Sequence, residues 1–339
     1  VGNLRKPLKV GLGLLASVFF LVLAFRGVDP AALMDVLARA NLWAVCSAAL
    51  LEVLALWFRA LRWGVLLGNL GNVGARPLFR ATLVGYMVNF TLPIRVGEIA
   101  RAHVLGKEQH LSRMSVFGTI VAERILDAVT ILVIAVLWLW FSELPGGDGG
   151  SSATILAATY ALAGLVLVAL AGLWVLVRHT RWLISVITAA VGFFSKPLAG
   201  KVRWRLLLLA EGFGPLRAGG DYVRLVIHTV LIWGLSVAAV QVLAAGIGLS
   251  LSHEASWLVL VALAVGVSVP SGPGFIGPFH YAAVVALAAY GIDSSTALGY
   301  AIVLHAVSTV PIIALGLLAL WLNHLSLGGV LSEPSSERR

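Results

Sequence analysis

Residues 85–127 read GYMVNFTLPIRVGEIARAHVLGKEQHLSRMSVFGTIVAERILD. In an otherwise apolar chain this one stretch gathers Asn89, Arg95, Glu98, Arg101, Glu123, Arg124 and Asp127. A charge at the centre of a spanning helix costs about 2.5–3.5 kcal/mol on insertion scales. Several charges placed together in such a setting point to use. Gly85, Pro93 and Gly97 interrupt the same stretch. Pro93 removes a backbone donor and disfavours helix at Leu92. The pattern therefore predicts two half-helices meeting near residues 91–93. Broken helices with polar groups at membrane depth are how transporters build their sites.

The rest of the chain supplies the setting. Its 339 residues are 60% hydrophobic and 12% charged, with mean hydropathy +0.99, whereas soluble domains carry about 25% charged residues. The expectation is an all-α polytopic membrane protein. The ten-residue alternation of a membrane β-barrel is not seen. Arg5, Lys6 and Lys9 precede the first apolar segment, and no clear cleavage site follows it. That segment reads as a first span and not as a removed signal. Cys46 is the single cysteine, so no internal disulfide can form. The net charge of +9 is assigned to cytoplasmic loops under the positive-inside rule, and no nucleic-acid partner is expected.

Six full spans are expected, at residues 10–25, 42–66, 115–141, 153–177, 222–249 and 296–322. Segments 77–105 and 255–290 each hold two short apolar halves about a break, and are read as re-entrant helical hairpins. The second break is PSGPGFIGP, residues 270–278. Residues 143–152 read as an external loop. Residues 181–217 carry Arg181, Lys196, Lys201, Arg203, Arg205 and Arg217, which predicts amphipathic helices lying at the interface. Residues 1–325 are taken as one transmembrane domain and 326–339 as a disordered polar tail. The location expected is the inner, cytoplasmic cell membrane. Cytoplasmic N- and C-termini put most of the 24 Lys and Arg residues on the cytoplasmic side. The first hairpin then enters from the cytoplasm and the second from outside, which is the pattern of inverted repeats.

Each hairpin offers a helix N-terminus inside the membrane, one after Pro93 and one at Pro278. Free N–H groups and a partial positive charge there suit phosphate or carboxylate. Gly272, Gly274 and Gly277 would let backbone approach a bulky headgroup closely, with Ser271 and His280 beside them; the alternative is a plain connecting loop. Arg95, Glu98 and Arg101 are spaced by three, so neighbours along a helix meet. Glu123 and Asp127 are four apart and share a face, with Arg124 in reach of Asp127. These charges form either a network that holds helices together or a pocket for an anionic or zwitterionic headgroup. In the pocket, arginine takes phosphate and carboxylate takes an amine or a proton. On the pocket reading, Glu123→Gln and Asp127→Asn preserve the fold and lose activity, and Arg95 binds the anionic part of the cargo. Arg59 and Arg62 are read as snorkelling to the interface, with Trp63 as an aromatic anchor.

His280 and His305 read as packed neutral side chains. No His, Cys and carboxylate spacing suggests a metal site. Walker A, dinucleotide and Gly-x-Ser-x-Gly motifs are missing from the sequence. No metal or cofactor is expected, and the chain reads as a transporter and not a catalyst.

Taken in order, Gly85, Asn89, Pro93, Arg95, Gly97, Glu98 and Arg101, then Glu123, Arg124 and Asp127, then Pro270, Gly274 and Gly277, resemble the lysylphosphatidylglycerol synthase transmembrane-region family. These are flippase-like integral membrane proteins, and the likeness runs over residues 6–322. The resemblance implies lipid translocation: aminoacylated phosphatidylglycerol in two-domain members, other lipids in shorter ones. Two-domain members continue into a soluble aminoacyltransferase domain, so lipid synthesis is not expected of this chain. The family pattern has a Glu after the glycine loop where this chain has His280, a departure that bears on cargo and on proton coupling.

The expected function is movement of a phospholipid, or another anionic or zwitterionic lipid, between leaflets. The expected partner is that membrane lipid, with room for a homo-oligomer. The expected site comprises Asn89, Pro93, Arg95, Gly97, Glu98, Arg101, Glu123, Arg124, Asp127, Ser271, Gly272, Gly274, Gly277 and His280. A small-solute or ion carrier, or a membrane-embedded lipid-modifying enzyme, are the runner-up readings.

Overall fold

The computed structural model describes residues 2–92, 96–141, 152–218 and 221–323. Regular structure among them is entirely helical. The chain opens with α1 (Gly2–Ala24) and the short α2 (Pro30–Ala38). Asp29 caps α2 by accepting from the Ala31 N–H, and Pro30 takes the first helical position, where a missing donor costs nothing. Asn41 caps α3 (Leu42–Leu67) through the N–H groups of Trp43 and Ala44. Next come α4 (Ala75–Thr91), α5 (Gly97–Glu108), α6 (Arg113–Phe141) and α7 (Ser152–Arg178). The chain then turns by 86° into α8 (Thr180–Phe194), followed by α9 (Lys196–Glu211) and α10 (Gly214–Ala218). The last group is α11 (Tyr222–Gly246), α12 (His253–Ser268), a 3₁₀ turn at Pro273–Phe275, α13 (Pro278–Ala288) and α14 (Ser294–Leu322).

Every segment expected to span is one continuous helix: α1, α3, α6, α7, α11 and α14. By length and composition alone, α3, α11 and α14 qualify as membrane spans. The two expected hairpins are also present as pairs of short helices, α4 with α5 and α12 with α13, each packed against its partner. Helix α8 leaves α7 nearly at a right angle and keeps Trp182, Val186, Phe193 and Phe194 exposed. That suits a helix lying in the interface plane. The expected external loop at 143–152 lies outside the described residues except for Ser152, which opens α7, and the expected polar tail at 326–339 lies outside them.

Two large apolar cores and a small third cluster at Leu56, Leu83 and Ile312 share α3. One joins α11, α12, α13 and α14 around Leu243, Leu287, Leu298 and Tyr300. Tyr300 is fully buried and donates to the Val240 carbonyl of α11 at 2.9 Å. The other core joins α4, α5 and α6 around Trp63, Leu66, Met87, Leu105 and Ile120. In lipid the hydrophobic effect does not drive helices together, so close van der Waals packing and polar contacts must do so. The hairpin tips meet where the Phe90 ring of α4 stands edge-on to Phe275 of the 3₁₀ turn, centroids 5.9 Å apart.

Candidate functional site

Three helices converge on one buried charged cluster. α6 contributes Glu123, Arg124 and Asp127, whose spacing of three and four puts them on one face. α3 contributes Arg59 and Arg62, and α5 contributes Arg101. Asp127 Oδ1 accepts from Arg62 Nη2 at 2.5 Å, and Oδ2 accepts from Arg59 Nη1 at 2.6 Å. Glu123 Oε2 lies 2.9 Å from Arg101 Nη1, and Oε1 accepts from Arg124 Nη2 at 2.7 Å. Arg124 also lies 3.5 Å from Asp127. The ion pairs therefore set four guanidinium groups against two carboxylates, with a third carboxyl, Glu52 of α3, within electrostatic reach of Arg59.

Burial decides how these charges behave. The Arg62 and Glu123 side chains are wholly buried, and those of Arg101 and Asp127 almost so, whereas Arg124 is 39% exposed. Removing one partner of a buried pair costs about 3–5 kcal/mol, because the other charge is left uncompensated. The expectation that Asp127→Asn leaves folding untouched is therefore revised. Asp127 neutralises Arg62, which is sealed from solvent. Aromatic faces supply further stabilisation. The Arg101 guanidinium sits 3.7 Å from the Trp63 ring centroid, and those of Arg59 and Arg124 stand about 6 Å from Tyr86. Several guanidinium donors are left over, beside one carboxylate oxygen, Glu123 Oε2, that also lacks a well-aligned hydrogen bond. Arg62 Nε, Arg124 Nε and Arg101 Nε and Nη2 are buried with no hydrogen-bond acceptor among the described residues.

Arg59, Arg62, Trp63 and Tyr86 are the cluster members that the sequence reading missed or misassigned. Arg59 and Arg62 do not snorkel outward. Trp63 is fully buried and donates through Nε1 to Thr119 Oγ1 at 2.8 Å. The usable signal was the spacing of three between two arginines within a long apolar helix, which places them on one face.

Asn89, Gly97 and Glu98 do other work. Asn89 Oδ1 accepts from the Gly97 N–H at 2.8 Å, at the start of α5, and its Nδ2 donates to the Glu98 carboxylate at 3.2 Å. One amide thus satisfies an otherwise orphan helix donor and ties α5 back to α4. Gly97 lies against the Gly85 carbonyl and the Asn89 side chain, so neither Gly85 nor Gly97 has space for a Cβ. The spacing of Glu98 and Arg101 suggested a local pair. Instead Glu98 turns to Asn89 and Arg101 to Glu123. Pro93 and Arg95 lie outside the described residues.

Ser271, Gly272, Gly274, Gly277 and His280 gather at the other tip. Gly272 N–H donates to Ser17 Oγ of α1 at 2.9 Å, and Gly277 packs on the Ser17 backbone. Gly274 and Gly277 have φ of +67° and +99°, which L side chains rarely adopt. His305 Nε2 bonds the Gly274 carbonyl at 2.7 Å, and the His280 ring lies 5.0 Å from His305. Ser271 Oγ and His280 Nδ1 are buried without a hydrogen-bond partner among the described residues. An aromatic path joins this tip to the charged cluster. Arg124 donates to Tyr86 Oη at 3.3 Å, Tyr86 neighbours Phe90 at 6.5 Å, and Phe90 meets Phe275. Chemically the arrangement offers unpaired guanidinium donors in a dry setting, which favours an oxyanion.

The model of the lysylphosphatidylglycerol synthase TM region matches residues 10–316. The chain belongs to this family. Among curated relatives of this family member, glycosyltransferase AglD of Haloferax volcanii is 27% identical over 357 residues, covering 96% of this chain. This chain spans only 56% of that protein. A UPF0104 membrane protein of Methanothermobacter thermautotrophicus is 28% identical, covering 86% of this chain and 89% of its own. Another, of Methanocaldococcus jannaschii, is 27% identical over 138 residues, or 39% of this chain and 40% of its own. No solved structure matches. Family and helices together identify an integral membrane protein.

Proposed function

We propose that this protein moves an anionic or zwitterionic phospholipid between the leaflets of the cell membrane, with cytoplasmic termini. The observation that carries the reading is the imbalance in the buried cluster: four arginines against two carboxylates, with guanidinium donors left over. A lipid phosphate supplies the missing negative charge and the acceptors. Arg124 is the half-exposed member and the first that an arriving headgroup meets. The glycine tip with Ser271 and His280, one aromatic path away, is the second contact, made from the other hairpin. The glycosyltransferase name of the Haloferax relative belongs to a protein nearly twice as long as the match, and transfers no activity here.

Headgroup-dependent lipid binding tests the reading. Native mass spectrometry of the purified protein with phosphatidylglycerol and with an uncharged diacylglycerol should show retention of the anionic lipid only. Arg124→Gln should weaken that retention about tenfold or more, as expected for losing one hydrogen bond to a charged group. Equal retention of both lipids would defeat the proposal.

A further inference from the structure

A second feature lies behind the charged cluster, on its lipid-facing side. A groove of about 580 Å³ runs between α6, α7 and α11. Leu126, Leu173, Val226 and Val230 form its apolar walls, and Arg178 and Tyr222 stand at one end. From Arg178 to Leu170 along α7 is eight residues, or about 12 Å of helix, long enough for part of one acyl chain. Leu170, Val226 and Val230 are exposed, so the groove opens sideways. Its inner wall includes Thr229, whose Oγ1 accepts from Arg62 Nη1 at 3.2 Å. One hydroxyl therefore separates the groove from the most deeply buried arginine of the cluster.

We infer that this groove seats an anionic glycerophospholipid, one acyl chain along Leu126, Leu173 and Val226 and the phosphate beside Arg178, and that it is the lateral entrance to the cluster. The role as entrance rests on the translocation reading above; the seat stands on geometry alone. Charge complementarity selects the occupant. Apolar walls suit a chain, and the exposed Arg178 guanidinium in the last turn of α7 suits a phosphate at the depth where the helix ends. The volume falls among those of ligand pockets, about 300–1,000 Å³. The surroundings of an outward face on a membrane protein are bilayer lipid, so the occupant is present at high concentration.

Photolabelling in vesicles tests the seat. The full chain is reconstituted with phosphatidylglycerol bearing a chain-terminal diazirine, and labelled peptides are mapped. Label should concentrate on the groove residues of α7 and α11. Val226→Trp and, separately, Leu170→Trp fill the groove from exposed positions and should remove most of that label. Arg178→Gln, or a choline headgroup on the same chains, should lower it about fivefold. Label spread evenly over the lipid-facing helices, or unchanged in both tryptophan variants, would overturn the seat. Preferential labelling by a polyprenyl phosphate diazirine would overturn the choice of a glycerophospholipid. Transport measured on the same vesicles separates the two readings. Groove label without headgroup translocation removes the translocation reading and leaves the seat. Intact translocation in Val226→Trp with its label lost removes the entrance role and leaves the translocation reading.

Discussion

Arg101 lies over the face of Trp63, its Cζ 3.7 Å from the ring centroid, while its Nη1 reaches Glu123 at 2.9 Å. One side chain from the first hairpin is thus held by an aromatic face of α3 and a carboxylate of α6. A lysine would keep the charge but lose the flat contact, and a desolvated cation–π contact contributes about 2 kcal/mol. Arg101→Lys should therefore lower the thermal unfolding midpoint in detergent. An unchanged midpoint would mean that the stacking contributes nothing.

Asp127 carries the pairing of both α3 arginines. Asp127→Asn should destabilise the protein by about 3–5 kcal/mol, by leaving buried arginine uncompensated. Adding Arg59→Gln should recover part of the loss, so that the double variant is more stable than the two single losses predict. Strict additivity in chemical or thermal unfolding would contradict a direct interaction.

The first hairpin is closed by Asn89. Asn89→Ala removes the acceptor for the Gly97 N–H and the donor to Glu98, and should cost about 1–3 kcal/mol. Gly97→Ala should be worse, because its Cβ would meet the Gly85 carbonyl and Asn89. Thermal unfolding in detergent checks both. The midpoint should fall in the order wild type, Asn89→Ala, Gly97→Ala.

These residues show what a local pattern can and cannot reveal. Pro93 and Gly97 announce a break because their effect is on their own backbone. Glu123 and Asp127 share a face through helix geometry alone. Arg59 and Arg62 were harder. A long cation near the end of an apolar helix reads the same whether it snorkels out or turns in, and the choice depends on where Asp127 packs, sixty-eight and sixty-five residues away. Glu98 and Arg101 have the spacing of a local pair, yet partners on α4 and α6 take them. The groove at Leu173 and Val226 left no sequence signal, because lipid-facing and groove-lining leucines and valines are the same residues.

Asp293 caps α14 by accepting from the Ser295 and Thr296 N–H groups, both at 3.0 Å. The backbone bond from Thr296 is the main cause holding its carboxyl below the usual range. A depressed folded value stabilises the protein above the unfolded value of about 3.9, and that contribution is lost as pH falls through the folded value. Asp293→Ala should cost about 0.5–2 kcal/mol at neutral pH. The gap in unfolding midpoint between it and wild type should narrow as pH drops below about 4. A gap constant with pH would show that the charge is not involved.

Arg124 can be neutralised while Arg59, Arg62 and Arg101 still compensate both carboxylates. The direct measurement is transbilayer movement of a headgroup-labelled phosphatidylglycerol in proteoliposomes, read by quenching from outside. Wild type should exceed protein-free vesicles, and Arg124→Gln should fall about tenfold or more while the protein stays folded, its unfolding midpoint lowered less than that of Asp127→Asn. Wild-type movement no faster than in protein-free vesicles, or Arg124→Gln equal to wild type, would contradict the proposed function.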